Sequence, residues 1–243
     1  MKRISFILLV FVFLGLYLFT YNSNSSFLDK EIKQTLFTSV SKPSWKIEMQ
    51  NTKDSFELHS LTATQEENKG VFLLEEPIFR SFWENKFKTT ASSVYAILDL
   101  GEEKLLMTNN VHLTITERDE KIDLFSETIN FDMRNKNFRS KNQVQMKSTS
   151  FRLNSNGFDL FQNSNGENEL IFSKAAFEED NASKNSFYGE ADLIIYKSPS
   201  DTFTLKGSAE IKFESTLISA EEIEFNFKTK KIISSKRSKI IKS

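Results

Sequence analysis

From Trp45 onward the chain alternates apolar with polar residues. Trp45-Lys46-Ile47-Glu48-Met49 does so, and so does Val111-His112-Leu113-Thr114-Ile115-Thr116. Ile129-Asn130-Phe131-Asp132-Met133, Val144-Gln145-Met146 and Phe151-Arg152-Leu153 follow. Ala209-Glu210-Ile211-Lys212-Phe213-Glu214 and Ile223-Glu224-Phe225-Asn226-Phe227-Lys228 repeat the pattern near the end. A period of two puts the apolar side chains on one face of a half-buried strand. Turn-forming clusters lie between these runs, among them Asn51-Thr52-Lys53-Asp54, Arg134-Asn135-Lys136-Asn137, Asn154-Ser155-Asn156-Gly157 and Ser198-Pro199-Ser200-Asp201. Short strands at this spacing predict an all-β sandwich, barrel or stacked roll. Nothing after residue 42 has the pattern of a long amphipathic helix.

The first forty residues follow other rules. Residues 4–21 run ISFILLVFVFLGLYLFTY without a charge. At ~1.5 Å per residue a helix of this length nearly spans a hydrocarbon core of ~30 Å. Lys2 and Arg3 precede it and Tyr17 and Tyr21 lie near its end, which predicts a membrane anchor with the remainder of the chain across the membrane. The rival reading is a cleaved signal peptide; the run exceeds a usual signal core, and no Ala-x-Ala site follows it. Between Ser25 and Lys42 apolar residues recur every fourth position, Leu28, Ile32, Leu36 and Val40. That spacing fits a short helix capped by Ser26, or else an unstructured tether, ended by Pro43.

Composition narrows the chemistry. Hydrophobic residues make up 39% of the chain and charged residues 27%, enough to bury a core. A net charge of −1 gives no bulk attraction to nucleic acid. Zero cysteines exclude disulfides, thiol catalysis and thiolate metal sites. The two histidines, His59 and His112, leave little for an imidazole metal site, and both fall in strand patterns. No G-x-S-x-G elbow, P-loop, H-E-x-x-H or glycine-rich dinucleotide turn is present, so no catalytic residue, metal ligand or cofactor is expected.

The strands also repeat. Ser126-Glu127-Thr128-Ile129-Asn130-Phe131 resembles Ala220-Glu221-Glu222-Ile223-Glu224-Phe225, and a serine follows nine residues after each phenylalanine, Ser140 and Ser234. Upstream, Val111 to Ile115 resembles Ala209 to Phe213. A repeated strand–turn–strand unit suggests layers stacked along one axis.

These residues carry a family resemblance. The unit Leu205-Lys206-Gly207-Ser208-Ala209-Glu210-Ile211, followed by Ala220-Glu221-Glu222-Ile223-Glu224-Phe225, is similar to the OstA-like repeat of lipopolysaccharide transport proteins. Leu106-Met107-Thr108-Asn109-Asn110-Val111-His112-Leu113 looks like a variant with Asn in place of Gly. Behind the apolar segment, Leu61-Thr62-Ala63 and Leu74-Glu75-Glu76-Pro77 resemble the early strands of the LptC family. The resemblance divides the chain into a cytoplasmic tip and anchor (1–22), a linker (23–43), an LptC-like β-jellyroll (44–180) and a further repeat like that of the LptA bridge proteins (181–243). LptC-family chains usually stop near the end of the first roll, and this one continues.

The resemblance implies an all-β fold: a twisted, open β-jellyroll of stacked antiparallel strands behind one N-terminal transmembrane helix. It implies an apolar inner face that accepts the acyl chains of lipopolysaccharide. Candidates for that face are Val111, Leu113, Ile115, Ile129, Phe131, Val144, Met146, Ile211, Phe213, Ile223 and Phe225; each is equally a plain core position. It implies inner-membrane ABC transporter subunits as partners of the anchor and the N-terminal strand. It also implies a periplasmic bridge protein at the C-terminal edge, with the domain lying in the periplasm. The alternative is a structural β-module of the envelope that pairs edge to edge and binds no lipid; an anchored β-sandwich hydrolase is a third. The basic run from Lys228 to Lys242 suits lipid phosphates or an acidic partner, or else keeps an edge strand from aggregating.

Overall fold

The structure, a computed structural model, describes residues 37–48, 54–66, 70–83, 87–117, 120–162, 168–179, 187–198 and 200–242. The described residues form twenty strands and no helix. The strands are β1 (Phe37–Ser41), β2 (Ser44–Glu48), β3 (Ser55–His59), β4 (Thr62–Glu66), β5 (Val71–Glu75), β6 (Ile78–Trp83), β7 (Phe87–Ser92) and β8 (Tyr95–Asp99). They continue as β9 (Lys104–Glu117), β10 (Glu120–Asp132), β11 (Asn137–Ser140), β12 (Val144–Lys147), β13 (Phe151–Ser155) and β14 (Phe158–Gln162). The last are β15 (Asn168–Glu179), β16 (Tyr188–Ser198), β17 (Thr202–Phe213), β18 (Thr216–Asn226), β19 (Lys231–Lys236) and β20 (Lys239–Lys242). Thr38–Ser243 is one compact unit.

Each long strand bends midway, and its halves enter different antiparallel ladders. One ladder runs β1, β4, β5, β8, the first half of β9, the second half of β10, β11, β14 and the first half of β15. It continues through β16 (second half), β17 (first), β18 (second) and β19. The other runs β2, β3, β6, β7, the second half of β9, the first half of β10, β12, β13 and the second half of β15. It continues through β16 (first half), β17 (second), β18 (first) and β20. The short strands are bent strands broken by two or three residues, as at Glu76-Pro77 between β5 and β6.

The bends have a backbone signature. Lys42, Glu76, Asn109, Asn110, Lys174, Gly207, Ser208 and Arg237 all have positive φ. They recur about every 33 residues, with one interval doubled. At Gly207 (φ +71) an added Cβ would stand 2.6 Å from Asp192 Oδ2, so a side chain there would strain the backbone and displace Asp192. Across other bends the inward positions step by three instead of two. Leu170 and Phe172 are followed by Ala175 and Phe177, and Ile122 and Leu124 by Ser126 and then Ile129 and Phe131. One extra residue re-aims the strand so that both halves face the same interior.

The ladders face each other, and rings meet between them. Phe56 of β3 touches Phe131 of β10 (5.2 Å between centroids), and Phe79 of β6 touches Phe131 (4.8 Å) and Phe138 (5.9 Å). Further along, Phe177 of β15 stacks on Phe203 of β17 (4.9 Å) and Phe225 of β18 (5.4 Å). A buried ring contributes about 1.5–3 kcal/mol, so this aromatic column holds the two ladders together.

Neither the short helix nor the unstructured tether read over residues 25–42 extends to the C-terminal end of that segment. Phe37–Ser41 is β1 and is bonded to β4. The anchor and the rest of the linker fall outside the described residues. Among the described residues no helix is long and apolar enough to cross a membrane. Past residue 180 the ladders continue without interruption, since β15 and β16 pair from Asn168↔Ser198 to Glu178↔Tyr188.

Candidate functional site

The interior between the ladders contains the residues read as an apolar face. Val111, Leu113 and Ile115 of β9, Val144 and Met146 of β12 and Ile211 of β17 line the second ladder and are buried. Ile129 and Phe131 of β10 and Ile223 and Phe225 of β18 face them from the first ladder, also buried. Phe213, near the end of β17, is half-buried against the same cluster. The eleven positions therefore share one continuous interior, because a period of two assigns the inner face on every strand that the ladders bring into register.

Sequence reasoning missed much of the aromatic lining. Phe138, Phe158, Phe172, Phe177, Tyr196 and Phe203 are all at most 2% exposed. Several of these lie on β15 and β16, where the extra residue at the bend breaks the alternation. The available signal is an apolar spacing of two, then three, then two.

The interior ends at two rims of turns. On one rim Asp132 accepts from Asn135 N (2.9 Å) and Asn226 accepts from Thr229 N (2.8 Å). The same Asx turn recurs at Asp99, which accepts from Glu102 N (2.9 Å). Burial pushes the Asp132 carboxyl up. The backbone and side-chain amides of Asn135, the Arg134 amide and the Lys104 charge more than reverse that, so it sits below the usual carboxylate range. Met133 and Phe227, one residue on from Asp132 and Asn226, are buried and close the end of the core.

Among the described residues, two ion pairs bridge the rims. Lys136 on the first rim pairs with the buried Asp54 on the other. Lys230 Nζ lies 2.9 Å from Glu179 Oε1 and 3.9 Å above the Phe227 ring. A hollow of about 250 Å³ opens at this second bridge, lined by Ile122, Phe151, Tyr196 and Phe227 with Lys121, Lys228 and Lys230. The Tyr196 hydroxyl donates to Asp201 Oδ1 (3.1 Å), and burial, reinforced by Asp201, holds it well above the usual phenol range. A second hollow of about 920 Å³ lies along the bends, where Lys174 meets Glu127, Glu190 and Asp192. Its mixed charge selects no ligand class.

The outer face has no comparable interior. His112 Nε2 lies 2.7 Å from Asp123 Oδ1, and its ring stacks on Phe125 at 4.5 Å. Burial pushes Asp123 up. Hydrogen bonds from Thr114, His112 and Lys121 outweigh burial and leave the carboxyl below its ordinary value. No cluster of metal-ligating side chains occurs among the described residues. In the basic C-terminal run, Lys236 pairs with Glu222 and Arg237 with Glu221 on β18. β19 and β20 close the ladders with Ile232, Ile233, Ile240 and Ile241 exposed.

Comparison with known proteins adds a family. The family model described as lipopolysaccharide-assembly, LptC-related matches residues 7–171. The model described as LptA/(LptD N-terminal domain) LPS transport protein matches residues 121–231. The two matches overlap from β10 into β15. Among solved structures, LptH of Pseudomonas aeruginosa is described as the LptA-homologous periplasmic component of the conserved lipopolysaccharide transport device. It is 16% identical to this chain, covering 52% of this chain and 97% of its own, at a TM-score of 0.47. No curated protein matches.

Proposed function

As the chain belongs to the LptC-related family of lipopolysaccharide-assembly proteins, we propose that it carries lipopolysaccharide, with the acyl chains lodged between its two ladders. LptC- and LptA-type proteins are non-enzymatic components of lipopolysaccharide transport. The finer reading is that residues 1–22 anchor the chain in the inner membrane and contact ABC transporter subunits. The domain then lies in the periplasm, and residues 181–243 continue the roll toward an LptA-like bridge protein.

The observation that carries this reading is the continuous, largely apolar interior. Inward rows continue strand by strand from Phe56 on β3 to Phe225 on β18, and among the described residues no charged side chain interrupts them. Each CH₂ moved from water into such an interior releases ~0.8 kcal/mol, so a few acyl chains suffice for firm binding. At both ends the ladders finish in edge strands, which suit addition of a further strand.

The test is photo-crosslinking from a reactive side chain at Ile129 or Phe225, in the full chain exposed to lipopolysaccharide. Adducts with the lipid are expected. Labelling confined to neighbouring core residues sinks the carrier reading. The exposed isoleucines of β19 and β20 favour the second reading, an edge-pairing module without lipid. On that reading Ile233→Pro abolishes partner pairing, and neither wild type nor the variant takes up lipid.

A further inference from the structure

One inward row of the second ladder is not apolar. Register aligns Phe56 with Ser81, Ser81 with Thr89, Thr89 with Ile115 and Ile115 with Ile122 across five adjacent strand segments. All five side chains are buried, Ser81 and Thr89 completely. The row faces the opposite ladder, since Phe56 meets the Phe131 ring there. Yet Ser81 Oγ and Thr89 Oγ1 have no hydrogen-bond partner in the protein. A buried hydroxyl without a partner is destabilising and rare, and two side by side in an apolar row call for a cause. Alanine and valine at these positions would complete the row. The other buried serines with a described bond are satisfied within the chain: Ser126 with Ser140 and the Gln143 carbonyl, and Ser155 with the Gly157 carbonyl.

We propose that the hydroxyls of Ser81 and Thr89 form a carbonyl-binding subsite for the lipid that occupies the interior. Both donate to the ester or amide carbonyl that links an acyl chain to its head group. Their depth agrees with that linkage. Phe56, at the head of the row, is two residues from Asp54, whose ion pair with Lys136 bridges the rims. A head group held at the rims puts its first carbonyls level with this row and its methylenes deeper, against Phe79, Leu113 and Met146. The subsite therefore fixes how far an acyl chain enters and selects acyl lipids over plain hydrocarbon. It rests on the carrier reading above.

The test uses the full chain in an ester-free detergent with purified rough lipopolysaccharide as the probe. Ser81→Ala, Thr89→Val and the double variant are compared with wild type for affinity, for thermal midpoint and for the infrared ester-carbonyl band of the bound lipid. The expected result is an affinity about tenfold lower in the double variant, with a midpoint equal to or above that of wild type. The carbonyl band shifts to lower frequency on wild type and not on the double variant. Unchanged affinity or an unchanged carbonyl band overturns the subsite, and so does a lowered midpoint, which would mean that the hydroxyls are satisfied within the folded chain. Wild-type protein that binds no lipopolysaccharide defeats the carrier reading itself, a distinct result.

Discussion

Gly189 gives the sharpest test of the aromatic column. It lies opposite Phe177 where β15 pairs with β16, and opposite Ile211 on the other side. A Cβ at 189 would stand 2.4 Å from Phe177 Cε1 and 2.5 Å from Cζ, and 3.3 Å from the Glu210 carbonyl oxygen. Carbon atoms pack at about 3.5–4.0 Å, so the ring would have to retreat by about 1 Å. It has nowhere to go. Phe177 is 1% exposed, with Phe203 at 4.9 Å, Phe225 at 5.4 Å and Phe187 at 6.4 Å between centroids. Overpacking of this kind costs about 1–3 kcal/mol, and replacing a strand glycine returns about 0.5–1 kcal/mol. Gly189→Ala should therefore destabilise by up to about 2.5 kcal/mol. Phe177→Leu removes the clashing ring edge, so in that background the alanine should be neutral or stabilising. The double-mutant cycle should show a coupling of at least about 1 kcal/mol. Urea unfolding of the full chain in mild detergent, followed by circular dichroism, measures it. Additive effects within about 0.5 kcal/mol would mean that Phe177 does not cover Gly189, and the register of β15 on β16 would be wrong.

The bridge at the rim should matter more than the surface pairs. Lys136→Met removes the ammonium from the buried Asp54 and is expected to destabilise by about 1–3 kcal/mol, the cost of a buried polar group left short of a partner. Lys236→Met, which removes an exposed ammonium from the half-buried Glu222, should stay within about 0.5 kcal/mol of wild type; equal losses in urea would remove any special role for the bridge. The Asp132 carboxyl, held below its ordinary value by the Asn135 turn, contributes stability above the unfolded carboxylate pKa of ~3.9. That contribution fades as pH falls through the lower folded value. Asp132→Asn should therefore be less stable than wild type at neutral pH, with the gap closing in acid. A gap that widens in acid would reverse the sign of the argument.

The strands were legible wherever alternation was unbroken. Val111 to Ile115 and Ile223 to Phe225 read directly as inward faces because a ladder in register needs nothing more. The bends were only half legible. Asn109-Asn110 stands where the second repeat has Gly207-Ser208, and all four have positive φ. Asn tolerates that region better than other L residues, which gives the Asn-for-Gly likeness a backbone cause. Lys174 and Glu76 adopt the same region with no special residue type, so local sequence did not mark them. The ladders on either side impose the conformation.

The segment that ends at Pro43 shows the same limit of local spacing. Apolar residues four apart suit one helical face, yet four is also a multiple of two. Leu36 and Val40 fit a strand as well as a helix, and spacing alone could not choose. What decided for Phe37–Ser41 was pairing with β4, a contact more than twenty residues away in the chain. Conversely, the inward step of three at Phe172–Ala175 looks like the end of a strand locally and is in fact its continuation into the second ladder. In this fold the bends transfer every long strand between ladders. Local periodicity therefore identifies the half-strands, and only the long-range pairing shows that two of them belong to one strand. The interior depends on that joining: without it Phe172 and Phe177 would belong to separate sheets, and the apolar rows proposed to hold acyl chains would not share one space.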